Sequence, residues 1–71
     1  MNQQTVIADL EARAKALGHS MLYICEQAGV HQTTFSRWKQ REQNAVPMDA
    51  KLGSLNKIDE VLGRLENGLA A

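Results

Sequence analysis

The stretch CEQAGVHQTTFSRWKQ, from Cys25 to Gln40, decides how this chain is read. Gly29 and Val30 mark a corner. Glycine reaches the positive φ that a tight turn demands, and Val30 brings an apolar side chain to fill the elbow. Cys25 is small enough for two helices to approach closely. Phe35 and Trp38 stand three apart and share one helical face, while Gln32, Thr33, Ser36, Arg37 and Gln40 fall away from it. A short helix, a three- or four-residue turn with glycine, and a second helix at a steep angle make a helix-turn-helix. The spacing predicts one here. Its first helix is expected over Met21–Ala28 with Ser20 as the N-cap, its second over Gln32–Gln40 or slightly beyond.

The flanks also read as helices. Val6, Ile7, Leu10, Ala14 and Leu17 recur at three- and four-residue steps, which predicts a helix over Gln3–Leu17. Asn2 or Thr5 is placed to cap it, and Gly18 to end it. After the corner, Pro47 suits the first turn of a last helix over Met48–Glu66, with a break allowed at Gly53–Ser54 and an end at Asn67–Gly68. Leu52, Leu55, Ile58, Leu62, Leu65 and Leu69 form its stripe. The expected fold is all-α, a compact four- to five-helix bundle in one domain spanning residues 1–71. Leu55, Ile58, Leu62, Leu65 and Leu69 are also a candidate dimer seam, although one narrow stripe then serves both core and partner.

Composition agrees with helices. Ala, Leu, Glu, Lys, Gln and Arg dominate, and these are strong helix formers. The chain has one cysteine, so no disulfide framework is expected and a reducing cytoplasm is the default address. The stretch MNQQTVIADLEARAKALG is polar and periodic and does not read as a signal peptide. Nothing approaches the roughly 18 apolar residues of a membrane span. His19, Cys25 and His31 lack the spacing of a zinc site, and no metal, cofactor or small-molecule ligand is expected. No nucleophile–base pair or carboxylate dyad stands out, so an enzyme is not expected.

Eight Lys+Arg balance eight Asp+Glu. A neutral chain argues weakly against a nucleic-acid partner, but the charge is unevenly spread. Residues 31–45 carry Arg37, Lys39 and Arg41 against Glu42, a net of +2, while the segments on either side are each −1.

The segment ICEQAGVHQTTFSRWKQ resembles the helix-turn-helix of the Cro/CI-type (XRE-like) transcriptional regulators of bacteria and phages. Their pattern is a small residue, three more, glycine, an apolar residue, then a polar run ending in ISRW. Cys25, Gly29, Val30 and the FSRW of Phe35–Trp38 match it. VPMDAKLGSLNKIDEVLGRL resembles the helix that follows in the family. The resemblance covers roughly residues 4–66, and only residues 20–40 are specific. There are departures. Met21 stands where the family often has glutamine, and Cys25 where it often has alanine. His31 stands where serine often caps the second helix. The usual glycine soon after the tryptophan is missing, which allows a longer helix.

The resemblance implies a DNA reader whose second helix enters the major groove. Gln32, Thr33 and Arg37 then read bases. Glutamine pairs with adenine, arginine with guanine, and threonine packs on a thymine methyl or hydrogen-bonds. Ser20, His31, Thr34, Ser36, Lys39 and Arg41 are placed for phosphates, which position the protein without reading sequence. The expected function is a dimeric repressor on a palindromic operator in double-stranded DNA, one that represses its own operon in a phage, anti-CRISPR or toxin–antitoxin setting. The competing expectation is an antitoxin- or antirepressor-like protein-interaction module of the same shape. In that case Gln32, Thr33 and Arg37 are an ordinary solvated face.

Overall fold

The computed structural model describes residues 2–70, the side chains of Leu69 and Ala70 excepted. Among them are four helices and no strand. Helix α1 spans Gln3–Ala16. Of the two candidate caps it is Asn2 that serves, its Oδ1 accepting from the Thr5 backbone N–H at 2.8 Å and the Thr5 hydroxyl at 3.0 Å. Gly18 follows with φ 80°. The chain turns back there, and the His19 N–H donates to the Ala14 carbonyl at 3.0 Å, the closing bond of a Schellman motif.

Helix α2 spans Met21–Ala28, as expected. Ser20 Oγ accepts from the Tyr23 N–H at 3.2 Å. Gly29 has φ 74°, and the Val30 N–H reaches the Cys25 carbonyl at 2.9 Å. A Cβ at Gly29 would meet nothing within 4 Å. The turn therefore needs glycine for its dihedral angle and not for room. Ile24 and Cys25 form the buried side of α2, while Leu22 is 44 % exposed.

Helix α3 spans only Gln32–Arg37, three residues shorter than the expected end at Gln40. Its carbonyls explain the stop. The Arg37 carbonyl accepts from the Met48 N–H at 2.9 Å and from Asn44 Nδ2 at 3.0 Å. The Trp38 carbonyl accepts from Gln3 Nε2 at 2.9 Å and Gln4 Nε2 at 2.8 Å. Gln4 Oε1 then takes the Gln40 N–H at 3.0 Å. Acceptors that another helical turn would use are satisfied by remote groups, and Arg41 and Asn44 close a tight turn on each other at 3.2 and 2.8 Å. At the start of α3, His31 caps after all: its Nδ1 accepts from the Thr33 N–H at 3.1 Å.

Helix α4 spans Leu52–Ala70, and this corrects the last expected helix at both ends. Pro47 lies outside it, in the connection. That connection is held from α1, where Gln3 Nε2 donates to the Met48 carbonyl at 2.8 Å and Gln3 Oε1 accepts the Ala50 N–H at 2.7 Å. The helix passes through Gly53–Ser54 and Asn67–Gly68 without a break. Glycine permits a left-handed stop but does not impose one, and inside a helix it costs about 1 kcal/mol.

Helix α4 packs across α2 and α1. Ile7, Leu10 and Ala14 of α1, Ile24 and Cys25 of α2, Val30 at the corner, Phe35 and Trp38, and Ile58, Val61 and Leu62 of α4 form one core. Phe35 and Trp38 meet edge-on with centroids 5.6 Å apart, a favoured aromatic arrangement. Val61 joins the core although it lies outside the expected leucine stripe, and Leu52, which belongs to that stripe, is 73 % exposed. The candidate dimer seam changes accordingly. Ile58 and Leu62 are fully buried in the protomer's own core and offer no surface to a second copy. Leu55 and Leu65 are half-buried against the same core. The side chain of Leu69 lies outside the described residues.

A charged brace ties α1 to α4. Arg13 makes a two-toothed contact with Glu66, Nε to Oε2 at 3.0 Å and Nη2 to Oε1 at 2.6 Å, and its Nη1 reaches Asp59 at 2.6 Å. Asp59 and Glu66 are seven residues apart, two turns of one face, so a single guanidinium spans both. Hydrogen bonding to Arg13 holds the Glu66 carboxyl below its ordinary value.

Candidate nucleic-acid interface

Helix α3 is held by its inward side chains and leaves an outward face. Phe35 and Trp38 anchor it in the core. Gln32, Thr33 and Arg37 are exposed, while Thr34 and Ser36 are half-buried. Thr33 and Arg37 are four apart, as are Gln32 and Ser36, so the four side chains form two adjacent rows. The three expected base readers thus share one surface. Thr34 turns partly toward the protein and is less available than the sequence suggests.

The polar residues around this face are placed by different elements. Ser20 is exposed at the start of α2, its hydroxyl occupied as the cap. His31 is exposed at the start of α3. A ring that accepts at Nδ1 carries its proton on Nε2, which remains a donor. Met21, Gln32, Phe35, Ser36, Lys39 and Arg41 help line a cavity of about 190 Å³ between the start of α2 and the side of α3. Seen from α3, Met21 therefore sits at the rim of the exposed face.

The three cations of this segment are not equivalent. Lys39 Nζ pairs with Glu11 of α1 at 2.8 Å. Arg41 folds back on α3, donating to the Ser36 carbonyl at 3.1 Å and to Ser36 Oγ at 2.7 Å. Arg37 makes no ion pair or side-chain hydrogen bond among the described residues. Partly exposed pairs such as Lys39–Glu11 contribute about 0.2–1 kcal/mol, little enough for an incoming phosphate to displace Glu11. Arg37 needs no such exchange.

Sequence reading missed the residues that hold this face in place. Gln3 and Gln4 fix the segment after α3, and Asn44 covers its terminal carbonyls. Each acts across a long separation in the chain or as a polar loop residue, so periodicity carries no sign of it. The adjacent glutamines at the start of α1 were the available hint. Cys25 is buried, and burial raises its thiol above the ordinary value, as befits a small apolar spacer. Among the described residues no group of three His, Cys, Asp or Glu is placed to hold a metal ion, and no helix is long and apolar enough to cross a membrane. No protein-family model matches this chain, and no curated protein or solved structure is measurably similar to it.

Proposed function

We propose that this protein is a sequence-specific DNA-binding transcriptional regulator of helix-turn-helix type, acting as a dimeric repressor of a promoter with a palindromic operator. The observation that carries the reading is the exposed row of Thr33 and unpartnered Arg37 beside Gln32, on a short helix whose opposite side is locked by Phe35 and Trp38. The three-residue turn Gly29–His31 between α2 and α3 supports it, because it matches the corner of that motif. In this reading α3 enters the major groove. Arg37 pairs with guanine, Gln32 with adenine, and Thr33 packs on thymine. Ser20, His31, Ser36, Lys39 and Arg41 meet phosphates. Repression of its own operon is the simplest use of such a protein.

Fluorescence anisotropy with DNA from immediately upstream of the gene tests this. Arg37→Ala is expected to lose about 1–3 kcal/mol, roughly 5- to 150-fold in affinity, together with the preference at one base position. Wild-type affinity should fall steeply with salt, since each neutralised phosphate releases counterions. Equal affinity for upstream and random DNA would overturn the operator reading. Two observations favour a second reading, a protein-interaction module: the chain is neutral, and two of the three cations near α3 already have partners. Absence of DNA binding even at low salt would select it.

A further inference from the structure

The backbone around Lys39 is fixed on both sides, whereas its side chain hangs on one contact. The Trp38 carbonyl accepts from Gln3 and Gln4, the Gln40 N–H donates to Gln4 Oε1, and the Lys39 carbonyl accepts from Asn44 Nδ2 at 2.8 Å. The Lys39 ammonium donates to Glu11 Oε2 at 2.8 Å and to nothing else among the described residues. The two side chains are 37 % and 36 % exposed. An ion pair that open to water exchanges with an outside ion at small cost.

Both partners line the cavity of about 190 Å³ beside α3. Of the charged residues lining it, Lys39 and Arg41 are cations and Glu11 is the acid, while Gln32 and Ser36 add an amide and a hydroxyl. Arg41 uses two of its five donors on Ser36, and Lys39 one of its three on Glu11. Donors of both cations therefore remain for an outside acceptor. A water needs only about 10–15 Å³, so the cavity has room for a phosphate group. The Glu11 carboxylate is itself an oxyanion, seated on the ammonium where a phosphate would sit.

We infer that Glu11 is an internal counterion in a phosphate site made by Lys39, Arg41 and Ser36, and that it lowers the protein's affinity for all DNA alike. The inference rests on the DNA-binding reading, in which those three residues meet the backbone, and adds the residue that opposes them. A phosphate arriving at Lys39 displaces the carboxylate. The Lys39 side chain then turns from α1 to the duplex, while its backbone stays where Gln4 and Asn44 hold it. Glu11 loses its partner and stands near a second negative charge. Both effects weaken binding. Phosphate contacts carry no sequence information, so operator and random DNA are weakened by the same factor. Glu11 thus sets how tightly DNA is held without changing which DNA is preferred.

Anisotropy titrations of the full chain with upstream and with random DNA test this. Glu11→Gln is expected to bind both about 2- to 5-fold more tightly, the worth of a partly exposed pair. In a Lys39→Gln background the same change should gain much less, because the pair it releases is already gone. Asp9→Asn is the control. Asp9 is an exposed acid of the same helix with no ion pair among the described residues, and its removal should gain less than Glu11→Gln. Equal gains from the two variants, or an undiminished gain without Lys39, would assign the effect to net charge and overturn the inference. Operator binding that Glu11→Gln leaves unchanged overturns it too, while the repressor reading stands. If wild type binds neither DNA, that reading falls and inorganic phosphate decides this one. Phosphate is titrated at constant ionic strength and followed by the amide NMR shifts of Ser36, Lys39 and Arg41. Shifts that saturate at lower phosphate in Glu11→Gln than in wild type keep the site, for a free phosphate group. Equal or absent shifts remove it.

Discussion

Two glycines show how one residue type has opposite roles in this chain. Gly29 sits at φ 74°, where any other residue meets its own carbonyl, a cost of about 1–2 kcal/mol. Gly63 lies in the middle of α4, and a Cβ there meets nothing within 4 Å. Alanine is favoured over glycine in a helix by about 0.5–1 kcal/mol. Gly29→Ala is thus expected to lower the urea midpoint and Gly63→Ala to raise it, with the same slope in both. If Gly29→Ala is neutral, the corner does not depend on the left-handed residue. The ionised residue with the most structural consequence is Arg13. Its two-toothed bond lowers Glu66, so the stability it brings is complete above the ordinary carboxyl value of 4.5. That stability drains as pH falls through the depressed value, because the unfolded chain then binds the proton more readily. Arg13→Met should remove this acid-sensitive part. A comparison of thermal midpoints at pH 3 and pH 7 checks it, and the difference between the two pH values should be smaller in the variant than in wild type.

At the scale of elements, α3 is short because its carboxyl end is captured. Gln4 bonds both the Trp38 carbonyl and the Gln40 N–H. Gln4→Leu removes both bonds and leaves Gln3 as the remaining side-chain partner of Trp38. The expected result is faster amide hydrogen exchange at Gln40, since its protecting acceptor is gone, while exchange at Ile24 and Leu62 in the core is unchanged. Unaltered exchange at Gln40 would mean that the turn closed by Arg41 and Asn44 is enough to hold the segment. The same capture keeps Arg37 at the last turn of α3 with its side chain free. A longer helix would have placed Lys39 and Arg41 on a continuous rod instead of against Glu11 and Ser36.

For the molecule as a whole, Trp38 joins the parts. It is 1 % exposed, contacts Phe35, and offers its carbonyl to two side chains of α1. Truncating a buried aromatic costs about 3–5 kcal/mol. A chain of 71 residues has a total stability of about 4–11 kcal/mol at the usual ~0.05–0.15 kcal/mol per residue. Trp38→Ala should therefore lose about a quarter or more of that stability, seen as a lower urea midpoint of the helical circular dichroism. An unchanged midpoint would show that α1, α2 and α4 form a sufficient core without it.

Much of this was legible in short stretches of sequence. The bounds of α2, the Ser20 cap, the left-handed residues Gly18 and Gly29, and the inward pair Phe35 and Trp38 all follow from interactions within five residues, and those leave a pattern in the chain. The outward position of Gln32, Thr33 and Arg37 follows from the same periodicity. Other features depended on residues distant in sequence. The end of α3 is set by Gln3, Gln4 and Asn44, the start of α4 lies just past a connection held from α1, and Lys39 is partnered by Glu11. Which apolar residues of α4 are buried was also decided there. Val61 faces α2 and enters the core, while Leu52 extends beyond anything able to cover it. A repeat of three and four defines a stripe, but only a packed neighbour determines which part of the stripe leaves water.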